Sequence, residues 1–171
     1  MPATRDDLMA MLARLGIATV TVEHPPLFTV EEAQALRGEV PGTHTKNLFL
    51  KDKKHALFLV VAPEEGAIDL KHLHHKIGAS SRLSFGKPGL LMAALGVLPG
   101  AVTAFAPIND TGGRVTVVLD DALMIADRLN CHPLVNTATT TIATVDLLAF
   151  LKATGHEPLI VPISAESAGE F

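Results

Sequence analysis

Apolar and polar positions divide the chain into short, intermixed elements. Leu8, Met11, Leu12 and Leu15 recur at helical spacing behind a capping box of Thr4 and Asp7, and Gly16 supplies the stop. Thr19 to Glu23 alternates and is rich in β-branched residues, which predicts a strand broken by His24-Pro25-Pro26. Thr29 with Glu32 forms a second capping box, opening a short helix through Leu36 that stops at Gly38. The clearest hairpin follows: Asn47 to Leu50 and Ala56 to Val61 are apolar strands around the charged turn Lys51-Asp52-Lys53-Lys54-His55. Asp69 caps a predicted helix through Ile77, closed by Gly78. Pro88 suits the first turn of another helix, Gly89 to Leu95, closed by Gly96. Gly96 to Gly113 reads mostly as loop. Val115 to Leu119 is a buried strand, and Thr137 to Ile142 a further strand. Thr144 caps a helix from Val145 to Lys152, Leu159 to Ile163 is a last strand, and the chain frays from Ser164.

Intermixed strands and helices with frequent hairpins predict one compact α+β domain, 1–164, with a mixed, largely antiparallel sheet and a frayed tail, 165–171. No βαβ series with a glycine-rich phosphate loop appears, which argues against nucleotide-hydrolysing and dinucleotide folds. The length of 171 residues suits a single core, and 48% apolar with 19% charged residues is a globular composition. Seven Phe with no Trp or Tyr leave that core to Leu, Val, Ile and Ala. The N-terminal stretch carries Asp6 and Asp7 and does not read as a secretory signal. No apolar run is long enough to span a bilayer, and Cys131 is the only cysteine, so a cytoplasmic protein without disulfides is expected. A net charge of −4 argues against holding long duplex DNA, while leaving room for a local basic patch.

Several constellations carry candidate chemistry. Lys46 stands at the entry to an apolar strand, where an ammonium group is either a partly desolvated anion partner or a surface charge snorkelling from the edge. Pro99-Gly100-Ala101-Val102-Thr103-Ala104 can offer backbone N–H groups to an oxyanion or be an ordinary connection. Asn109-Asp110-Thr111-Gly112-Gly113 is well explained as a turn. Cys131 beside His132 suggests a thiol nucleophile, but neighbours in an extended segment point apart, so Cys131 reads better as a small buried residue. His72, His74 and His75 raise the question of metal, but no carboxylate–histidine motif accompanies them. No metal or cofactor is expected. Neither a Gly-x-Ser-x-Gly elbow nor a His-Glu-x-x-His motif is present.

Taken together, the marks His24-Pro25 with Phe28 to Ala33, Thr45 to Leu50, Pro99 to Thr103, Ile108-Asn109-Asp110 and His132 to Thr140 resemble the YbaK family of aminoacyl-tRNA editing domains. That family includes the insertion domain of bacterial prolyl-tRNA synthetases, and the likeness is greatest to the free-standing ProX group of alanyl-tRNA(Pro) deacylases. The resemblance runs from about His24 to Pro162 and implies a sheet curled around a pocket with flanking helices. Lys46 matches the family's functional lysine, and Gly100 to Ala104 its Gly-x-x-x-Pro substrate loop, with Ala104 in place of the proline. His132 matches a pocket histidine that helps set which aminoacyl group fits. The resemblance thus implies Lys46 and Gly100 as catalytic residues. It places Thr29, Ala101, Val102, Thr103, Ala104, Asn109, Asp110, His132 and Asn136 against the substrate.

The implied reaction is water attack on the ester joining a small wrong residue to the terminal ribose of tRNA(Pro), with the substrate's own 2′-hydroxyl helping to activate water. Such an enzyme needs no side-chain nucleophile. A synthetase pocket shaped for proline cannot strongly exclude alanine, because a lost apolar contact is worth only about 1–3 kcal/mol. The expected partners are the aminoacylated acceptor end and prolyl-tRNA synthetase. A deacylase for cysteine or serine is one alternative. A non-catalytic nucleic-acid-binding protein is another, disfavoured for DNA by the acidic balance and the absence of a recognition-helix pattern. Lys51, Lys53 and Lys54 are either a basic strip for the acceptor stem or a solvated turn.

Overall fold

The computed structural model describes residues 1–26, 32, 35 and 40–165. Its elements are α1 (Arg5–Arg14), β1 (Thr19–Glu23), β2 (Thr43–Lys51), β3 (Leu57–Pro63), β4 (Ala67–Ile68), α2 (Leu73–Ile77), β5 (Ser84–Phe85), α3 (Pro88–Leu95), β6 (Val115–Asp120), β7 (Arg128–Cys131), β8 (Ala138–Ala143), α4 (Thr144–Ala153), β9 (Leu159–Val161) and β10 (Ser164–Ala165). Short 3₁₀ turns occupy Pro99–Ala101, Ala106–Asn109 and Asp121–Ile125. The capping box at Thr29 and the helix expected through Leu36 lie outside the described residues, as do residues 166–171 of the tail.

An eight-stranded mixed sheet carries the fold, in the order β1-β8-β7-β2-β3-β6-β9, with β5 added beside β2. The hairpin is the antiparallel β2–β3 pair, with Lys46 opposite Ala62 and Leu50 opposite Phe58. β3 pairs parallel with β6 and β6 with β9, whereas β1–β8 and β8–β7 are antiparallel. Both faces of the centre are covered, which explains the unbroken apolar run of β3. Leu57, Leu59 and Val61 join Val115, Val117 and Leu119 against Leu8 and Leu12 of α1, Leu91 and Leu95 of α3, and Phe150 of α4. Phe105 meets Phe150 edge-on at a 5.4 Å centroid distance, a favoured aromatic geometry. Phe58, Val60 and Val118 face the other way, onto Leu73 and Ile77 of α2 and onto Ile163.

Local chemistry accounts for most boundaries and departs from expectation at a few. Thr4 and Asp7 form the reciprocal capping box of α1. Gly78 and Gly96 close α2 and α3 in the left-handed region. The helix expected from Asp69 begins only after His72, because the Asp69 carboxylate is bonded to the Lys71 N–H and the His72 ring instead. Thr144 is the first residue of α4 rather than its cap, and its hydroxyl donates to the Ala126 carbonyl at 2.6 Å. Ser164 and Ala165 do not fray: they pair with Ile68 and Ala67.

The charged turn of the hairpin conceals a buried carboxylate. Asp52 is only 4% exposed and accepts from the N–H groups of Lys54, Ala56 and Ser80 and from the Ser80 hydroxyl, tying the turn to the loop after α2. These donors, led by the Ser80 N–H, hold its pKa down at about 2. A carboxylate whose folded pKa lies below the ordinary 3.8 stabilises the fold fully above that value and loses the contribution as pH falls toward 2. Urea midpoints measured between pH 5 and pH 2 should therefore fall less steeply in Asp52→Asn than in the parent. Parallel curves would remove Asp52 as the cause.

Candidate active site at the open edge of β2

One edge of β2 is shared by two strands that never meet. β7 runs parallel to its start, with Thr43 opposite Leu129 and His44 opposite Asn130. β5 joins only its end, with Leu50 opposite Phe85. Between them Thr45 to Phe49 has no strand partner on that side among the described residues, and loops bearing the candidate residues gather there.

The site's geometry rests on Asn130, which is 2% exposed. Its amide donates to the Pro41 carbonyl at 3.0 Å and accepts from the Thr141 hydroxyl at 2.5 Å, and its backbone carbonyl accepts from the Thr45 hydroxyl at 2.8 Å. Bonding of one buried residue to three chain segments fixes where β7 leaves β2. Gly42, at φ +108°, enters against this side chain: a Cβ there would stand 3.2 Å from the Asn130 oxygen.

Beyond Cys131 the chain turns through His132, Pro133 and Leu134. Leu134 holds φ +69°, an unusual backbone state for a non-glycine residue, with its side chain anchored in the core. The turn brings Asn136 against the glycine loop, where a Cβ on Gly100 would lie 3.3 Å from the Asn136 amide nitrogen. Thr103 fastens the same loop, since its buried hydroxyl donates to the His132 carbonyl at 2.6 Å. This bond restrains the loop at the point where Ala104 replaces a proline. Gly100, Ala101, Val102, Thr103, His132 and Asn136 are therefore brought together, with Ala104 buried beneath them.

The imidazole of His132 is polarised by its partner. Its Nδ1 stands 3.1 Å from the Ala138 carbonyl, an acceptor, so Nδ1 carries the proton and Nε2 presents a lone pair. Burial holds the ring's pKa below the ordinary value, opposed in part by the Ala138 bond, so the ring is neutral at physiological pH. His24 lies 6.5 Å away, centroid to centroid, held by Thr139 at 2.8 Å.

Other expected residues are employed elsewhere. Asn109 donates to the Leu95 carbonyl at 2.9 Å and accepts from the Ala3 N–H at 2.7 Å, joining the N-terminus to the end of α3. Asp110 is buried, pairs with His156 at 2.8 Å and accepts from the N–H groups of Arg114 and Val115. Both read as structural. Strand alternation turns Lys46 to the face of Leu48 and Leu50, and its ammonium donates to the Gly66 carbonyl at the β3–β4 turn. The glycine loop stands instead against Asn47 and Phe49. Thr29 lies outside the described residues. Among the described residues no three His, Cys, Asp or Glu side chains are placed to hold a metal ion.

Asn47 falls within the Thr45 to Leu50 mark of the resemblance, which gave it no role. Its Oδ1 is buried with no hydrogen-bond partner among the described residues, a deficit worth about 1–3 kcal/mol. It lines a cavity of about 300 Å³ together with Phe49, Phe85, Pro88, Pro99 and Val102. Cys131, by contrast, is excluded as a nucleophile. It is buried, and burial pushes its thiol pKa up to about 11, so no thiolate forms at neutral pH.

A neutral imidazole, a glycine loop and the amides of Asn47 and Asn136 are thus the groups that gather at this edge. Residues 24–150 match the family described as "Aminoacyl-tRNA editing domain". The chain belongs to that family and is an aminoacyl-tRNA deacylase. It is 42% identical over 159 residues to a prolyl-tRNA synthetase associated domain-containing protein 1 of Danio rerio, covering 92% of this chain and 86% of that one. It is 38% identical over 150 residues to a prolyl-tRNA editing protein ProX of Acetoanaerobium sticklandii, covering 87% and 91%. A solved structure described as a candidate trans-editing enzyme for prolyl-tRNA synthetase superposes with a TM-score of 0.69 over 95% of this chain and 99% of its own. At 19% identity this shows the shared fold. No helix among the described residues is long and apolar enough to cross a membrane.

Two outcomes test this geometry. Iodoacetamide at pH 8 should leave Cys131 unmodified in the native protein and alkylate it after unfolding in urea, with mass spectrometry as the readout. Thr103→Val removes the loop's fastening, and kcat/KM for deacylation should drop roughly tenfold with a stability loss of about 1 kcal/mol. Unchanged kinetics would show that the bond does not position the loop.

Proposed function

We propose that this protein is a trans-editing enzyme that hydrolyses alanine from mischarged tRNA(Pro). The observation that carries the reading is the approach of Gly100 to Asn136 beneath His132 at the open edge of β2. An aminoacyl group bound there would meet the loop backbone and the Asn136 amide, which suits an enzyme that must accept alanine and spare proline. The likeness to proteins named for prolyl-tRNA editing and for association with prolyl-tRNA synthetase supports the choice of tRNA. The same chemistry directed at serine or cysteine is the second reading. The acceptor end, prolyl-tRNA synthetase as a partner and a cytoplasmic setting follow from the first.

Each residue then takes a role. The Nε2 lone pair of His132 accepts from the α-ammonium of the bound aminoacyl group, which orients the ester toward the glycine loop. Backbone N–H groups of that loop stabilise the oxyanion. The N–H of Ala101 is committed to the Leu98 carbonyl at 2.9 Å, so this work falls to its neighbours Gly100, Val102 and Thr103. Water, assisted by the ribose 2′-hydroxyl, attacks the carbonyl carbon; the C–O ester bond breaks and the ribose oxygen leaves with a proton. Lys46 exchanges the Gly66 carbonyl for a phosphate of the terminal nucleotides and draws the acceptor end to the edge.

Deacylation of Ala-, Ser-, Cys- and Pro-tRNA(Pro) tests the proposal. Fast release of alanine with sparing of proline is expected. Lys46→Ala should slow release of alanine by about two orders of magnitude. Full activity in that variant would remove Lys46 from the mechanism, and preference for serine or cysteine would select the second reading.

A further inference from the structure

The cavity beside Asn47 is the wrong size for the residue being edited. A cavity for one water-sized group such as a methyl needs about 10–15 Å³, whereas this space measures about 300 Å³. A pocket that large would take proline as readily as alanine and would discriminate nothing. Its lining is also wrong for a methyl sensor. Phe85, 58% exposed, presents an aromatic ring at the rim, and Pro88, Pro99 and Val102 supply apolar walls. The floor is the Phe49 ring packed on bare backbone: a Cβ on Gly86 would stand 2.3 Å from it, so only glycine permits the approach. The polar side chain in this lining is Asn47, whose buried Oδ1 has no hydrogen-bond partner among the described residues.

An exposed aromatic ring, a flat apolar slot and one amide with an unused acceptor are the elements by which proteins take up an unpaired base. The amide selects among bases. An asparagine side chain matches adenine in particular, accepting from the exocyclic amine through Oδ1 and donating to a ring nitrogen through Nδ2. Adenine is also the terminal base of every tRNA, and the cavity shares Pro99 and Val102 with the glycine loop where the ester is placed.

We infer that this cavity is the subsite for the terminal adenine of the tRNA, stacked on Phe85 and read by Asn47. The inference rests on the deacylase reading above and assigns the large cavity to the base, leaving the aminoacyl group to the Gly100–Asn136–His132 side. The enzyme would grip a feature common to all charged tRNAs in one compartment and test the attached residue in another.

RNA minihelices bearing the tRNA(Pro) acceptor stem, chemically alanylated and ending in adenosine or in purine riboside, which lacks the exocyclic amine, test this directly. With adenosine ends, Phe85→Ala should raise KM about tenfold, within the range for loss of one base–aromatic stack, and Phe85→Trp should restore it. Purine riboside should raise the KM of the parent several-fold and leave that of Asn47→Ala at its adenosine value, because the variant has no acceptor to lose. A parent enzyme indifferent to the amine, or a Phe85→Ala variant with the parental KM, would overturn the inference while leaving the deacylase reading intact. A parent that hydrolyses neither minihelix would overturn both.

Discussion

The molecule depends on the division of one strand edge between two unequal partners. β2 pairs with β3 without a break from Thr45 to Lys51, yet on its other side it holds β7 for Thr43 and His44 and β5 for Leu50 and Lys51. A strand in the middle of a sheet ordinarily satisfies its backbone on both sides, and an interrupted edge exposes polar groups to whatever lies opposite. Here that place is bordered by a neutral histidine, two amides and a glycine loop. Among the described residues, the interruption that would be a defect in a purely structural sheet coincides with the place where the candidate residues gather.

Asn130 makes the interruption permanent. It connects the approach to β2 at Pro41, the side of β8 at Thr141 and the β2 residue Thr45 in one buried set of bonds. Because each partner satisfies another, loss of any one leaves a buried polar group exposed to an apolar surround, which makes the arrangement all-or-none. Thr103 then ties the glycine loop to the carbonyl of His132. The histidine is thereby coupled at its backbone to the loop and at its ring to Ala138. Positioning of the site is a matter of side chains bonding to main chain, which is more rigid than contact between two side chains.

Much of the fold was legible in the order of residues. The β2–β3 hairpin showed as two apolar runs around a charged turn, α1 as a capping box before a helical stripe, and β6 as an unbroken apolar strand, because each is decided by local periodicity and burial. β7 was not legible. Arg128-Leu129-Asn130-Cys131 has no period, and its strand is decided by distant partners of Asn130. Asp52 and Asp110 were hidden for the same reason: a carboxylate in a turn looks solvated until the loop that supplies its donors is in place. At the site, resemblance identified the glycine loop, His132 and Asn136, and the structure brings them together. The alternation of β2 already separated Lys46 from Asn47, but nothing in the sequence told which face the loop would meet.

The separation of faces bears on fidelity. An enzyme that removes alanine and spares proline must distinguish residues by bulk, yet a compliant apolar pocket distinguishes them weakly, by about 1–3 kcal/mol. Exclusion is stronger where the wall cannot yield. The Asn136 amide lies beside the loop, 3.3 Å from where a Cβ on Gly100 would stand, and the Thr103 hydroxyl holds the loop to the His132 carbonyl. A wall made of main chain fastened by a buried hydroxyl is stiffer than one made of Leu or Met side chains, which move between rotamers at little cost. On the proposed reading, discrimination by bulk belongs to the fastened loop, and the space next to Asn47 is left to a part of the substrate that never varies.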